Sequence, residues 1–266
     1  GQQLVSKRQI FVDAIEKLAS ESSSSEWQRS RPPIESIIAV AEELFAKTMM
    51  AGASGLSVAD SGDRDFPYLF SLSAADKGTV NLALNTRLFK PTNELSNHEP
   101  VHRIVAEYCA ARYLVRRAED QADNLMLSRI LSVVAPSNVV RDELRGLLGW
   151  MASLGNPHTQ EACIRIDPYA VLANGDPSQL SSSSKRLLLR ALQELSKVDP
   201  YFRRSDAWRR FSVAGLLTPE IVEDVRTALS GSGTSSDFRN LLVELLEGSS
   251  IASQLADTLR DVVLDT

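Results

Sequence analysis

The feature that most constrains this fold is a series of short amphipathic segments, several of which begin at a proline. The clearest segment repeats its apolar residues at the i, i+3, i+4, i+7 and i+8 spacing of one helix face: Leu144, Leu147, Leu148, Met151 and Ala152. Asp167-Pro168 and Thr218-Pro219 each place a capping side chain before a proline that suits the first helical turn. Aromatic residues make up only 6% of the chain, and β-branched runs are scarce, which favours helices over sheets. These patterns predict an all-α or nearly all-α protein.

The chain is long for a single core, and its predicted segments fall into three regions. Residues 1–32 contain an N-terminal helix and a linker. Residues 33–118 contain a helix, a second helix, a small β-hairpin and a closing helix, which is the outline of a winged-helix-like domain. Residues 119–266 contain short helices joined by tight linkers, which predict an irregular α-solenoid of stacked helix pairs.

Charge and cysteine content favour a cytoplasmic protein. The net charge of −5 argues against a general binder of nucleic acid or of anionic membranes. Cys109 and Cys163 lie in helical contexts without a C-x-x-C partner, so we expect buried free thiols and no disulfide. No apolar run approaches the ~18 residues of a membrane span, and the N-terminus lacks a signal-peptide pattern. Gly1 without a preceding Met suggests a piece of a longer protein.

His98, Glu99 and His102 match the letters of the zinc-protease motif H-E-x-x-H. In that motif both histidines bind zinc from consecutive turns of one helix, and the glutamate acts as general base. Pro100 lies between them, where it would remove a backbone donor and clash with the preceding turn at a cost of ~3 kcal/mol. The sequence therefore argues against a helical zinc site. A zinc-dependent hydrolase is kept as a remote alternative, with no metal ligand assigned.

A basic region between residues 185 and 210 carries eight Lys and Arg side chains against three acidic ones. Aromatic residues are interleaved in it, a composition that can contact nucleic acid through phosphate pairing and base stacking. The residues of this alternative are Arg203, Arg204, Trp208, Arg209 and Arg210. Because residues 218–266 are acidic, pairing between neighbouring helices explains the same charges. A nucleic-acid-binding winged-helix and helical-repeat module is therefore the second hypothesis.

Other catalytic patterns are weaker. Ser182 and Lys185 match S-x-x-K, but they lie in a serine-rich run without the companion motifs of that enzyme class, which indicates a helix cap. His158 has no evident Cys or Asp partner and is predicted to be a surface residue. Neither G-x-x-x-x-G-K-[ST] nor G-x-G-x-x-G occurs, so this chain has no recognisable phosphate-cradling loop. We assign the chain no catalytic residue and no cofactor of its own.

The segment from His102 to Leu114, H-R-I-V-A-E-Y-C-A-A-R-Y-L, resembles a signature of NACHT-type STAND NTPases. That signature, H-R/K-x-x-x-E-Y/F-x-A-A-R-x-L, closes the winged-helix domain of the family. Residues 84–89 are similar to the segment that precedes the hairpin in these proteins. Residues 144–178 resemble the helical region that follows in bacterial members. The resemblance covers roughly residues 30–200.

The resemblance implies a non-catalytic regulatory and sensor part of a nucleotide-gated switch, in bacterial signalling or antiphage defence. In the family, the histidine that matches His102 contacts the terminal phosphate of ADP, which is bound in a neighbouring NTPase domain. The implied partners are therefore that NTPase domain, holding ADP or ATP, and a sensed ligand of the solenoid, expected to be a protein. Glu107 is expected to pair with Arg103 one turn back, and Tyr108 to lie on the apolar stripe with Ile104.

Overall fold

The computed structural model describes residues 6–21, 32–94, 96–199, 201–202 and 215–264. The protein is mostly helical and contains a small three-stranded antiparallel sheet. Contacts between Cα atoms divide the chain into two compact units. The first unit comprises residues 1–137 and 141–147, and the second comprises residues 138–140 and 148–266. Among the described residues, no helix is both long and apolar enough to cross a membrane.

The first unit combines helices with the sheet. Its helices are α1 (Lys7–Ser20), α2 (Ile34–Ala51), α3 (Lys77–Leu84), α4 (Arg103–Glu119) and α5 (Leu127–Val134). Its strands are β1 (Leu56–Ser57), β2 (Phe89–Pro91) and β3 (Asn97–Pro100). Helix α2 packs against α1, α3 and α4 and is therefore the central helix of the unit. The predicted short helix before the hairpin is α3, and Asp76 is its cap because the Asp76 carboxylate accepts a hydrogen bond from the Thr79 N–H at 2.9 Å.

Helix α4 is buried around most of its circumference. Val105 to Ala111 form an uninterrupted buried run, and Tyr108 is fully buried, as the sequence predicts. The prediction that Ile104 shares this buried face is wrong, since 47% of the residue is exposed. Because α4 contacts α1, α2, α5 and β3, its burial does not follow the single stripe of a surface helix.

An ion-pair cluster around the buried carboxylate of Glu42 links α4 to α2. Glu42 of α2 is fully buried, and its two carboxylate oxygens lie 3.0 Å from Arg112 Nε and 3.1 Å from Arg116 Nη1. Burial raises the pKa of Glu42, and the two guanidinium groups only partly offset this effect. Because desolvation of a buried carboxylate opposes its attraction to the arginines, the cluster contributes more to the relative position of the helices than to net stability.

The sheet has the order β1-β3-β2, so β3 is central. Strands β2 and β3 form the predicted hairpin, with Lys90 opposite Glu99 and Pro91 opposite His98. Strand β3 ends at Pro100, and α4 begins three residues later at Arg103. The hairpin therefore leads almost directly into the first turn of α4.

Helix α6 (Arg145–Leu154) is divided between the two units, and most of it belongs to the second unit. It continues with α7 (Pro157–Ile166), α8 (Pro168–Asn174), α9 (Ser182–Val198), α10 (Val222–Ser230), α11 (Ser236–Leu246) and α12 (Ala256–Leu264). Helix α9 packs against α7, α8 and α11, and α10 packs against α11 and α12. The predicted cap at Asp167 is confirmed, because its Oδ1 accepts a hydrogen bond from the Ala170 N–H at 2.7 Å. Cys109 of the first unit and Cys163 of the second are buried free thiols, as predicted.

Candidate functional site

His102 occupies the junction between the sheet and α4. It is the residue that precedes the helix, with an extended backbone (φ −141°, ψ 129°), and its carbonyl accepts hydrogen bonds from the N–H groups of Val105 and Ala106. The side chain is exposed and makes no hydrogen bond with any residue that the structure describes. Since the first N–H groups of a helix lack intrahelical acceptors and carry partial positive charge, this position favours an anion.

A cleft of about 480 Å³ lies beside His102, entirely within the first unit. One wall is the C-terminal end of α2 and the turn that follows it, and the other is formed by the hairpin and the start of α4. The charged residues that line the cleft are three cations and two carboxylates: Lys90, Arg103, Arg141, Glu99 and Glu143. The lining therefore carries a net positive charge in a chain whose overall charge is −5.

Each of the three cations has a partner close to the cleft. Lys90 Nζ lies 2.9 Å from Glu99 Oε1 across the hairpin, and Arg141 Nε donates to Glu143 Oε1 at 2.8 Å. Their side chains are between 34% and 50% exposed. Ion pairs at this exposure contribute at most about 1 kcal/mol, because water and salt screen them. An incoming phosphate can therefore compete for these cations.

Arg103 and Glu107 hold the first turn of α4 in place. Arg103 Nε donates to Glu107 Oε1 at 3.0 Å, which confirms the predicted pair, and its Nη2 donates to the carbonyl of Glu143. Burial raises the pKa of Glu107, an effect that Arg103 partly offsets. Gly146 packs directly against the Glu107 carboxylate, where an added methyl group would lie 2.6 Å from Oε1 and closer still to Oε2. This packing fixes the helix start from which His102 projects.

His98 and His102 do not share a helix. His98 lies in β3, and burial lowers the pKa of its imidazole, an effect that a backbone hydrogen bond at Ser96 partly offsets. Pro100 pairs with Phe89 in the same sheet. The extended backbone of residues 97–100 therefore contradicts the two-turn helical arrangement that the zinc-protease motif requires. The described residues contain no cluster of three or more His, Cys, Asp or Glu side chains suited to a metal ion.

The other predicted positions lie apart from this cleft. His158 is exposed in the first turn of α7. Ser181 caps α9 by accepting a hydrogen bond from the Ser184 N–H at 3.2 Å, which confirms that the serine run is a helix cap. Lys185 is buried, and its Nζ lies 3.5 Å from Thr218 Oγ1.

The residues of the nucleic-acid hypothesis, Arg203, Arg204, Trp208, Arg209 and Arg210, lie outside the described part of the chain. Two nearby cations that are described, Arg186 and Lys197, have partners within the protein. Arg186 Nε donates to Asp224 Oδ2 at 3.0 Å, and Lys197 Nζ lies 2.7 Å from Glu194 Oε1. The first of these contacts confirms the predicted pairing between basic and acidic helices at one position.

Sequence reasoning identified His102 but missed Lys90, Arg141 and Glu143, which share its cleft. Lys90 lies on the opposite strand of the hairpin, and Arg141 follows His102 by 39 positions. Their charged side chains follow no pattern that distinguishes them from ordinary surface residues. Comparisons of the chain with protein-family models, with curated proteins and with solved structures found no match.

Proposed function

We propose that the chain is the regulatory and sensor part of a NACHT-like STAND NTPase, acting as a nucleotide-gated switch in bacterial signalling or antiphage defence. The first unit corresponds in this proposal to the winged helix, because α2, β1, α3, the β2–β3 hairpin and α4 follow one another in the chain. The short helices of the second unit correspond to the beginning of a solenoid sensor. The chain itself performs no catalytic step, and the protein is cytoplasmic.

The observation that carries this proposal is the exposed imidazole of His102 at the start of α4, which bonds to none of the described residues and lies beside a cation-lined cleft. An imidazole N–H donates well to a phosphate oxygen, and the bond strengthens when the ring is protonated. Arg103 and Arg141 line the same cleft and can pair with further oxygens of a diphosphate. The residues present therefore fit the terminal phosphate of ADP held by a neighbouring NTPase domain.

In the proposed switch, ADP stabilises a closed state because His102 contacts it in that state alone. Capture of a protein ligand by the helical region shifts the population towards an open state in which this contact is lost. Such a shift requires a difference in binding free energy between the two states. A histidine that contacts phosphate in only one state supplies part of that difference.

The proposal can be tested on this chain with histidine NMR, because the sequence contains only three histidines, His98, His102 and His158. We expect the His102 ring signals to shift on titration with ADP or inorganic pyrophosphate, and these shifts to shrink when Arg141 is changed to Gln. His158 is the matched control, since it is also exposed in the first turn of a helix but lies in the other unit. Equal shifts of both rings, or none, would count against the site.

The wider assignment has a separate test in the coding sequence. The reading frame upstream of Gly1 should encode a G-x-x-x-x-G-K-[ST] segment between a strand and a helix. A reading frame without that segment would exclude the NTPase assignment, even if His102 binds phosphate. The two outcomes therefore distinguish an anion site from a STAND switch.

A further inference from the structure

The pair Asn174-Gly175 is the only Asn-Gly step in the sequence. An asparagine side chain in such a step can be lost to its own backbone, because glycine has no Cβ to shield the nitrogen that attacks it. Once hydroxide has removed its proton, the Gly175 nitrogen attacks Asn174 Cγ, the Cγ–Nδ2 bond breaks, and the amide nitrogen leaves as ammonia with a proton from water. Water then opens the resulting succinimide ring at either carbonyl, which gives aspartate or isoaspartate.

The folded chain holds both reacting groups in hydrogen bonds. Asn174 is the last residue of α8, and Gly175 is the residue that ends the helix. The Gly175 N–H donates to the Val171 carbonyl at 3.2 Å, and Asn174 Nδ2 donates to the Ala170 carbonyl at 3.3 Å. The proton that must be removed is therefore engaged, and the amide that must leave is tied to the preceding turn.

Close packing against α6 opposes the rotation that the reaction needs. For the Gly175 nitrogen to reach Asn174 Cγ, the backbone must leave the helical conformation and carry Gly175 with it. A Cβ atom added to Gly175 would lie 2.4 Å from the Gly149 carbonyl oxygen and 2.6 Å from Ser153 Oγ, and both of these residues lie in α6. The following residue is also held, since the Asp176 N–H donates to Ser153 Oγ at 2.6 Å. All five residues belong to the second unit.

We propose that Asn174 is a deamidation site that the folded second unit protects and that unfolding of this unit makes reactive. Isoaspartate routes the main chain through Cβ and Cγ, so it inserts one carbon atom, or about 1.5 Å of chain, before Gly175. The packing cannot accept this insertion where even an added Cβ atom would overlap Gly149. Conversion therefore makes unfolding of the second unit permanent. This inference does not depend on the proposed nucleotide switch.

The first experiment compares the rate of conversion at Asn174 in mildly alkaline buffer with the rate in the same buffer containing enough urea to unfold the protein. Peptide mapping by mass spectrometry follows the replacement of the amide by a carboxyl group and distinguishes isoaspartate from aspartate. We expect conversion to be faster in urea by about tenfold or more, because protection in the folded state requires an opening event before reaction.

Val139→Gly supplies the matched control, because it creates a second Asn-Gly step at Asn138. Asn138 and Val139 are exposed, and Asn138 has a positive φ of 61° outside any α-helix. The new step should convert at nearly the same rate with and without urea, while Asn174 in the same molecule stays protected in buffer. Equal conversion of Asn174 with and without urea overturns the proposal.

A second experiment tests whether the conversion is irreversible. After increasing times in urea the chain is diluted into buffer, and the refolded and non-refolded fractions are mapped separately. We expect isoaspartate at position 174 to collect in the non-refolded fraction. Asn174→Gln should refold after the same treatment, since its longer side chain forms the corresponding ring far more slowly. The proposal also fails if isoaspartate is spread evenly between the fractions, or if Asn174→Gln loses the ability to refold as fast as the unchanged chain.

Discussion

The contact between Gly146 and Glu107 leads to a prediction about Gly146→Ala. Two opposing effects determine whether this substitution stabilises or destabilises the first unit. Alanine is a better helix former than glycine by about 1 kcal/mol, and Gly146 lies in the first turn of α6. An added methyl group would, however, overlap the Glu107 carboxylate. Since that carboxylate is the end of a flexible side chain, it can move, but only by leaving its position beside Arg103.

Displacing the Glu107 carboxylate should cost more free energy than the helix gains from alanine. Glu107 is only 8% exposed, and a buried charge-assisted hydrogen bond contributes up to about 3 kcal/mol. Arg103 is 59% exposed at its side chain, so solvent screening lowers the expected loss to about 2 kcal/mol. Gly146→Ala should therefore lower the free energy of unfolding of the first unit by about 1 kcal/mol.

A double-mutant cycle provides the decisive measurement. In a Glu107→Ala background the overlap is absent, so Gly146→Ala should raise the free energy of unfolding by about 1 kcal/mol instead. Amide hydrogen exchange of α4, followed by mass spectrometry, reports this free energy for the first unit separately from the second. If Gly146→Ala stabilises α4 equally in both backgrounds, the steric argument is wrong.

Three further predictions concern other buried positions. Gly149→Ala should destabilise the second unit by about 2 kcal/mol or more in chemical denaturation, because the new Cβ would lie 2.7 Å from the backbone nitrogen of Gly175. Gly233→Ala is the control and should be nearly neutral, since a Cβ there would have no neighbour within 4 Å. Burial lowers the pKa of His98 in the folded state, so the unfolded chain binds more protons near that pKa. The free energy of unfolding should therefore fall as the pH drops below ~6.5 and level off below the folded-state pKa. His98→Gln should remove that part of the pH dependence. Burial raises the pKa of Cys163 to about 12, so this thiol should react with a disulfide reagent only after unfolding, and rapid native reaction would contradict its burial.

Much of the secondary structure could be predicted from local pattern. The segment from Leu144 to Ala152 has helical periodicity and forms most of α6, and Asp167-Pro168 begins α8 with the expected cap. Pro100 correctly argued against a helix over residues 98–102. These features depend on interactions within a few residues, since periodicity, capping and the missing proline N–H all act locally.

The burial of α4 was predicted less well, because it depends on how many elements cover the helix. The predicted stripe through Ile104 and Tyr108 assumed one buried face, whereas contacts with several elements bury Cys109 and Ala110 as well. A helix that is covered on several sides loses the stripe from which its orientation is inferred.

The sequence by itself determined that the protein is mostly helical, that a hairpin precedes α4, and that His102 stands at the start of that helix. Tertiary structure alone decided what surrounds His102. Arg141, Glu143 and Gly146 reach the start of α4 from about 40 residues away along the chain. Local energies select helices and caps, whereas the partners of a charged side chain depend on which distant segments pack beside it.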